Sequence, residues 1–286
     1  MTAAVPRHVQ TTLSYYDDPG DGTPPEPVII GKGTVTNERK AVSVPVTVHD
    51  VTGRENDGEF TLEKCGFQFV RHTSQAVTCQ DDGYKDLDKI TSDYFPDCEN
   101  VLKQVTGAAR VFVFDPAVRR GPSDWHKLGP GNANKRGPLH RVHVDQSYSG
   151  AAFILKWYLG DEAEQLMSKH WQIINVWRPI KEIFKDPLAV VDARSVAEDD
   201  LVEARVVYRD HERPTWTVKP PLQKDGHKWY YKYRQTPDEV TLIKCFDSID
   251  NGSVARRVPH SAFRDDAYDN GSPRESIEVR AFVFYD

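Results

Sequence analysis

The chain has 286 residues, of which 38% are hydrophobic and 28% charged, and its formal net charge at pH 7 is −6. This composition is typical of a globular protein with a sizeable core, and it argues against a generic nucleic-acid binder, which would carry a basic face. No apolar stretch approaches the ~20 residues of a membrane span. We therefore expect neither a nucleic acid nor a membrane as partner.

The four cysteines are scattered and form no CxxC pair, a pattern typical of free thiols in a reducing compartment. Residues 1–20 contain no apolar run of the kind found in signal peptides. We therefore expect a cytoplasmic protein, and the sequence leaves its oligomeric state open.

The first half of the chain mixes extended and helical patterns. Residues 1–28 are polar and interrupted by five prolines, and they are predicted to form an N-terminal arm ordered only by packing against the body of the protein. Residues 28–49 contain short β-branched runs and are predicted to be extended. A strand is predicted at 67–70, and a helix over 86–106 with a break at Pro96.

The apolar run 111–114 predicts a strand that ends at Asp115-Pro116, and the Gly-, Pro- and Asn-rich residues 119–138 predict a loop. Helical character returns over 149–170, in two pieces separated near Gly160. Five further strands are predicted, at 172–177, 204–208, 228–233, 241–246 and 276–285.

Strands dominate the second half, and no regular alternation of strands and helices emerges. A mainly β protein with flanking helices is therefore predicted, with a jelly-roll or barrel core. We expect one domain over residues 1–286, with its core at about 67–286.

The most informative motif is His143-Val144-Asp145. On a strand, side chains at i and i+2 point the same way, so His143 and Asp145 are expected side by side, while Val142 and Val144 face the opposite layer. His260, far downstream at the start of another extended segment, can complete a set of two imidazoles and one carboxylate. Such a set suits ferrous iron and leaves coordination positions open. The His-x-Asp pair alone occurs by chance in many proteins, so the prediction depends on the distal histidine.

The last predicted strand carries polar side chains at a spacing of two, so Arg274, Ser276, Glu278 and Arg280 share one face. Arg274 offers a planar fork of donors and Ser276 a hydroxyl, and together they suit one carboxylate of a bound dicarboxylate. For Glu278 and Arg280 we expect instead an ion-pair ladder on a solvated face.

In this order, His143-x-Asp145, His260 and Arg274-x-Ser276 resemble the Fe(II)- and 2-oxoglutarate-dependent dioxygenases. More narrowly, the chain resembles the fungal hydroxylase/desaturase group, which includes gibberellin desaturase-like and cephem methoxylase-like proteins. The resemblance covers about residue 67 to the end. The segments that carry it are Val111–Asp115 with Arg119-Arg120, Val142–Ser147, Ile174–Pro179, Asp186–Ala189 and Arg274–Arg280.

The resemblance implies a double-stranded β-helix, the cupin-like form of the jelly roll. It implies Fe(II) held by His143, Asp145 and His260, 2-oxoglutarate as co-substrate with its far carboxylate on Arg274, and O2 as oxidant. Succinate and CO2 would be released while a small organic molecule, expected to be a secondary-metabolite intermediate, is hydroxylated or desaturated. The presence of Asp145 argues against the related halogenases, which lack this carboxylate.

Five residues are further candidates for contacts to the co-substrate or substrate. Asn175 is predicted to bind 2-oxoglutarate, and Arg178 a substrate carboxylate. Because they lie three residues apart on a straight strand, they are expected on opposite faces, and one of them is expected to be structural. Gln146, Tyr148 and Arg119 are predicted substrate contacts, and a core or solvated position is the alternative for each.

Three other functions stay open at this point. One is an iron oxygenase of the same fold that does not use 2-oxoglutarate, which Arg274-x-Ser276 disfavours. Another is a non-catalytic jelly-roll binding protein. The third is a zinc hydrolase with the same three ligands, which would not explain the downstream arginine and for which no second carboxylate stands out as general base.

Overall fold

Segments rich in β-branched and aromatic residues form most of the regular structure. The computed structural model describes residues 6–286, except for the side chains of residues 77 and 78. In this range the strands are β1 (Val9–Tyr16), β2 (Val28–Ile30), β3 (Val35–Asn37), β4 (Ala41–Asp50), β5 (Phe67–Arg71), β6 (Arg110–Arg119), β7 (His143–Val144), β8 (Trp171–Pro179), β9 (Leu188–Val191), β10 (Leu201–Val207), β11 (Glu212–Val218), β12 (Trp229–Tyr231), β13 (Glu239–Asp247), β14 (His260–Ala262) and β15 (Ser276–Phe284).

The α-helices are fewer and lie mainly in the first half. They are α1 (Val77–Asp82), α2 (Leu87–Lys89), α3 (Phe95–Thr106), α4 (Tyr148–Leu159) and α5 (Ala163–Met167), with a π-helical turn at Ile90–Tyr94 between α2 and α3. The prediction of a mainly β protein with flanking helices is confirmed.

The strands form two sheets. The larger sheet has the order β1-β4-β12-β9-β14-β7-β11-β10-β2-β3, and the smaller has the order β5-β13-β8-β15-β6. Neighbouring strands are antiparallel except for the pairs β10–β2 and β12–β4. Consequently β7 and β14, which carry the two predicted histidine ligands, are adjacent in the larger sheet, and β15 lies next to the central strand of the smaller one.

The smaller sheet separates two apolar layers. Trp177 and Phe282 on its inner face pack in one cluster with residues of the larger sheet. Val176 and Val279 on its outer face pack against helix residues such as Leu102. Successive residues of a strand alternate between faces. The polar residues of β15 that alternate with this outer set therefore point into the molecule, between the sheets.

The helix boundaries follow from proline and glycine. Pro96 stands in the first turn of α3, where its missing N–H breaks no helical hydrogen bond, so the chain continues as a helix after it. Gly107 ends α3 with a left-handed φ of 69°. Gly150 lets α4 pack against β11, because a Cβ at this position would lie 2.0 Å from the backbone oxygen of Pro214.

Two sequence expectations about element boundaries are wrong. The segment 1–28, expected to be an arm, contains β1, an edge strand of the larger sheet whose Leu13 and Tyr15 are buried. The core therefore starts well before residue 67; residues 1–5 lie outside the described range. The strand at 111–114 does not end at Asp115-Pro116, because a bulge with Asp115 at a φ of 51° takes up the two residues and pairing resumes at Ala117.

Candidate metal and co-substrate site

The two predicted histidine ligands meet across a pair of strands. His143 on β7 lies directly opposite His260 on β14 in the antiparallel register, an arrangement that brings the side chains of opposite residues into contact. Their ring centroids are 4.4 Å apart. Val142 and Val144, which alternate with His143, are buried in the main apolar cluster. Local strand alternation and the β7–β14 pairing together place both imidazoles on one side of the larger sheet.

Each imidazole is oriented by a backbone carbonyl. Nδ1 of His143 lies 2.8 Å from the oxygen of Arg141, and Nδ1 of His260 lies 3.1 Å from the oxygen of Val258. A carbonyl can only accept, so each Nδ1 carries the proton and each Nε2 presents a lone pair. Burial and the nearby His143 lower the pKa of His260, which favours its neutral, metal-binding form.

The two carboxylate oxygens of Asp145 have different surroundings: one is hydrogen-bonded to the protein, and the other faces the two histidines. Oδ2 accepts hydrogen bonds from Nε of Arg280 at 2.8 Å and from Nδ2 of Asn175 at 2.8 Å. Nη2 of Arg280 lies 2.7 Å from the same oxygen. Oδ1 is 3.4 Å from Nε2 of His143 and 4.0 Å from Nε2 of His260. Although burial alone raises the pKa of Asp145, the Arg280 guanidinium and the two histidines hold it well below its usual value.

This donor set fits a ferrous ion. The candidate ligand atoms all lie within 4.8 Å of one another, and two atoms that each bind one ion at about 2.1 Å can be up to about 4.2 Å apart. The two Nε2–Oδ1 distances satisfy that limit. Two neutral imidazoles and one carboxylate on one side of an ion leave the other side open. In the part of the chain that the structure describes, His143, Asp145 and His260 are the one such cluster.

Arg274 lies beside this cluster, in a small cavity that it shares with both histidines. Its side chain is buried, its Nη1 donates to the backbone oxygen of Asp186 at 2.9 Å, and its guanidinium lies 5.4 Å from the ring centre of Trp177. Nε of Arg274 has no hydrogen-bond partner. Burial and the positive charge of Arg119 lower the pKa of Arg274 to about 9, so an anion in this cavity would relieve an unfavourable charge.

The other predicted co-substrate residues are buried nearby. Nδ2 of Asn175 also donates to Oε1 of Glu278 at 2.7 Å, while Oδ1 of Asn175 has no partner. The amide nitrogen of Asn175 is therefore engaged with the metal-site carboxylate, and its free oxygen faces no donor. Ser276 is buried at the start of β15, two residues from Arg274.

The four predicted substrate residues divide into two pairs. Gln146 and Arg119 line a larger cavity of about 330 Å³ that also contains His143 and Asp145. Arg119 lines the small cavity of Arg274 as well. These two residues therefore lie where a substrate contact was expected.

Arg178 and Tyr148 do not line either cavity, and the structure contradicts their expected substrate contacts. Arg178 is on the outer face of β8, where its donors are used by Tyr94, by the backbone of Pro237 and by His72. The period of two places Asn175 inside and Arg178 outside. Tyr148 starts α4 and its hydroxyl donates to Glu198 at 2.9 Å, away from the metal ligands.

Sequence reasoning missed the role of Arg280 and Glu278. They were expected on a solvated face, but β15 pairs with β8 on one side and β6 on the other, and its polar face points between the sheets. Arg280 is thus a direct partner of Asp145, and Glu278 a partner of Asn175. The signal was present in the sequence, since both share the period-two face of Arg274.

Comparison with known proteins places the chain in a family. A family model described as "YDMC: Oxidoreductase/YMDC permease-like domain" matches residues 13–284. "Hydroxylase/desaturase efuI" of Hormonema carpetanum is 37% identical over 100% of this chain and 98% of its own length. "Alpha-ketoglutarate-dependent dioxygenase phiK" of a fungal species is 30% identical over 97% of this chain and 96% of its own length. The chain belongs to the fungal Fe(II)- and 2-oxoglutarate-dependent dioxygenases.

The oxygenase also matches a solved structure over nearly its whole length. The structure titled "iron and alpha-ketoglutarate-dependent endoperoxidase NvfI with different conformation" superposes with a TM-score of 0.82, with 27% identity over 97% of this chain and 98% of that one. The expected jelly roll of the double-stranded β-helix type is confirmed. Among the described residues, none of the helices combines the length and the apolar character needed to cross a bilayer.

Family membership decides between the functions left open by the sequence. The protein is an oxidoreductase that uses Fe(II), 2-oxoglutarate and O2 and acts on a small molecule. A zinc hydrolase, a non-catalytic binding protein and an oxygenase that does not use 2-oxoglutarate are not retained.

Proposed function

We propose that His143, Asp145 and His260 hold the ferrous ion of this oxygenase through Nε2, Oδ1 and Nε2, and that Arg274 binds the far carboxylate of 2-oxoglutarate. The observation that carries the proposal is the division of hydrogen bonds around the three ligands. Nδ1 of each histidine and Oδ2 of Asp145 face away from the site, and each has a hydrogen-bond partner in the protein. Nε2 of each histidine and Oδ1 of Asp145 face one another and have no other partner.

When bound, iron, 2-oxoglutarate and O2 supply the oxidising power for C–H cleavage, with release of succinate and CO2. The protein contributes placement. Arg280 and Asn175 fix Oδ2 of Asp145, so that Oδ1 is held toward the histidines. The buried guanidinium of Arg274 gives the co-substrate one orientation, and burial strengthens that contact.

The substrate end of the site is the larger cavity that contains His143, Asp145, Gln146 and Arg119. A volume of about 330 Å³ suits a small organic molecule. Relatives are named hydroxylases/desaturases, and we propose that this enzyme hydroxylates or desaturates an intermediate of secondary metabolism. We also propose a cytoplasmic location; the four cysteines, all within the described range, are buried and form no disulfide, which supports a reducing compartment.

The test is an anaerobic titration with Fe(II) followed by 2-oxoglutarate, monitored by the visible charge-transfer band of the ternary complex. We expect one iron per chain and a band that requires both additions. Adding O2 should then release succinate in proportion to the 2-oxoglutarate consumed. Iron binding without a band would contradict the co-substrate assignment, and iron binding that survives alanine at His260 would contradict the ligand assignment.

A further inference from the structure

The larger cavity is strongly cationic. Its lining includes six arginines and two aspartates, namely Arg39, Arg119, Arg136, Arg141, Arg213, Arg280, Asp115 and Asp145. Both aspartates are already paired: Asp145 with Arg280, and Asp115 with Arg213 at 2.8 Å and Arg280 at 3.4 Å. The remaining arginines of the cavity have no acidic partner within 4.0 Å among the residues that the structure describes.

Two of these arginines form a neighbouring pair. Arg39 is 7% exposed, and its donors contact only backbone oxygens, those of Glu26 at 2.9 Å and Arg205 at 3.4 Å. Nη1 of Arg141 donates to the backbone oxygen of Arg39 at 2.6 Å. Burial and the charge of Arg141 lower the pKa of Arg39 to about 10, so Arg39 is a buried cation with the half-buried cation Arg141 nearby.

Such a pair is unfavourable without a counter-ion. A buried charge normally has a hydrogen-bonded partner of opposite sign. Carbonyl oxygens satisfy individual N–H groups but supply no net negative charge. Arginine side chains present planar forks that match a carboxylate bidentately. An anion in the cavity would supply the negative charge that both guanidinium groups lack.

The position of Arg39 and Arg141 relative to the candidate metal ligands indicates whether the anion belongs to the co-substrate or to the substrate. Arg274 lines the small cavity and not the larger one, whereas Arg39 and Arg141 line the larger cavity only. His143 lines both cavities, so the candidate metal site lies between two separate cationic groups. If 2-oxoglutarate occupies Arg274, the pair remains available to the substrate.

The other residues that line the larger cavity indicate the chemical character of the rest of the substrate. Apolar side chains form much of the wall, including Val28, Ile30, Val35, Leu139, Ile154 and Val206. An apolar wall with a few convergent charged groups is typical of a site that binds an amphipathic small molecule and fixes its orientation through one polar end.

We propose that Arg39 and Arg141 bind a carboxylate group of the substrate, which is a small and otherwise apolar acid whose apolar part extends toward the metal ligands. This inference rests on the proposed function of the site and adds the class of substrate. The carboxylate would anchor the molecule away from the iron, and the distance from anchor to metal would select the carbon that is oxidised.

The experiment uses the full-length enzyme with Fe(II) and saturating 2-oxoglutarate under anaerobic conditions. The probes are octanoate, decanoate, dodecanoate and naphthalene-2-carboxylate, each compared with its primary amide. Binding is followed by the change in the charge-transfer band and by the thermal midpoint. Because 2-oxoglutarate already occupies its site, the band itself reports whether the proposed function holds, independently of the response to the probes.

The variants are Arg39→Gln and Arg141→Gln, with Arg205→Gln as the control. Arg205 is exposed and pairs with Glu212, so its substitution removes the same charge from outside the cavity. In the wild type and the control, at least one acid should bind about 10-fold more tightly than its amide, as expected for charge-assisted hydrogen bonds. Arg141→Gln and Arg39→Gln should abolish this preference while the band without probe is retained.

A wild-type enzyme that binds no probe, or binds acids and amides equally, would overturn the proposal. So would variants that keep the preference for acids. If both variants lower the thermal midpoint but keep the preference for acids, the two arginines have only a structural role. That outcome also overturns the proposal.

Discussion

Arg280 on β15 and Asp145 after β7 are joined by two contacts to a single oxygen: Nε and Nη2 of Arg280 lie 2.8 and 2.7 Å from Oδ2 of Asp145. The pair connects the two sheets at the candidate metal site. It keeps the carboxylate ionised and turns its other oxygen toward the histidines. The geometry makes Arg280 a positioning residue for Asp145, the candidate metal ligand.

Replacing Arg280 by methionine should weaken Fe(II) binding by about 10–100-fold, the usual effect of removing a partner of a metal ligand. Arg280→Lys should lose less, since it keeps the charge but not the fork. Anaerobic Fe(II) titration measures both. Arg110→Met, on the exposed part of β6 with Glu162 as its partner, is the matched control. Equal iron affinity in Arg280→Met and the control would contradict the positioning role.

Replacing His143 by alanine should abolish stoichiometric Fe(II) binding, because the ion would lose one of its three protein ligands. His170→Ala is the control: His170 pairs with Asp247 and stacks on Tyr285, and it lines neither cavity of the site. Metal analysis of the purified proteins after reconstitution measures the effect. A His143→Ala protein that retains one tightly bound iron would exclude this residue as a ligand.

Replacing Arg274 by alanine should raise the KM for 2-oxoglutarate by about 100-fold, the loss expected for two charge-assisted hydrogen bonds. Iron affinity should change little, since Arg274 donates to the backbone oxygen of Asp186 and forms no hydrogen bond with any of the three candidate ligands. Arg234→Ala removes an exposed arginine that pairs with Glu182 and serves as control. Iron and 2-oxoglutarate binding that fall together in Arg274→Ala would argue for general disruption of the site instead.

His126 should make the folded protein sensitive to acid. Burial, together with Arg141 and Arg119, lowers the pKa of His126 from 6.5 to about 4. Between these values the unfolded chain binds a proton that the folded chain does not, so the free energy of unfolding falls as the pH drops through this window. At pH 5 the effect amounts to about 2 kcal/mol.

The check is urea unfolding of the metal-free protein at pH 7 and pH 5, for the wild type and for His126→Phe. Phenylalanine keeps a ring against Trp125, whose centre is 3.7 Å from that of His126, but has no proton to bind. The variant should lose less stability on acidification, by about 2 kcal/mol. Because the other histidines are common to both proteins, identical losses would show that His126 does not titrate as described.

Much of the site could be predicted because its residues lie close together in the sequence or share a strand. The spacing of His143 and Asp145 specifies their common side once the segment is extended. Arg274 is a candidate because it precedes Ser276 by two residues, the spacing of side chains on one face of an extended segment. The period of two places Asn175 and Arg178 on opposite faces of β8. It does not say which face is inside; the structure shows that Asn175 faces Asp145 and that Arg178 faces outward.

The errors arose where the tertiary environment determines the outcome. Arg280 was expected in solvent, because a charged residue on a strand is usually exposed. Tyr148 follows the metal motif in sequence, but the start of α4 turns its hydroxyl toward Glu198. The period of two shows that Arg280 shares a face with Arg274, but it does not show that this face is buried, and local sequence carries no signal for the contact of Tyr148.

The amino-acid sequence alone was enough to predict the candidate ligand types, the family and the mainly β architecture, because residue identity and strand period are local properties that do not depend on packing. Three relationships are visible only in the folded chain: His260 faces His143, Arg280 holds Asp145, and Arg39 and Arg141 share a cavity. Those relationships depend on which strands are neighbours and on which face is buried. Both are set by the free energy of the whole packed chain and not by any short segment of it.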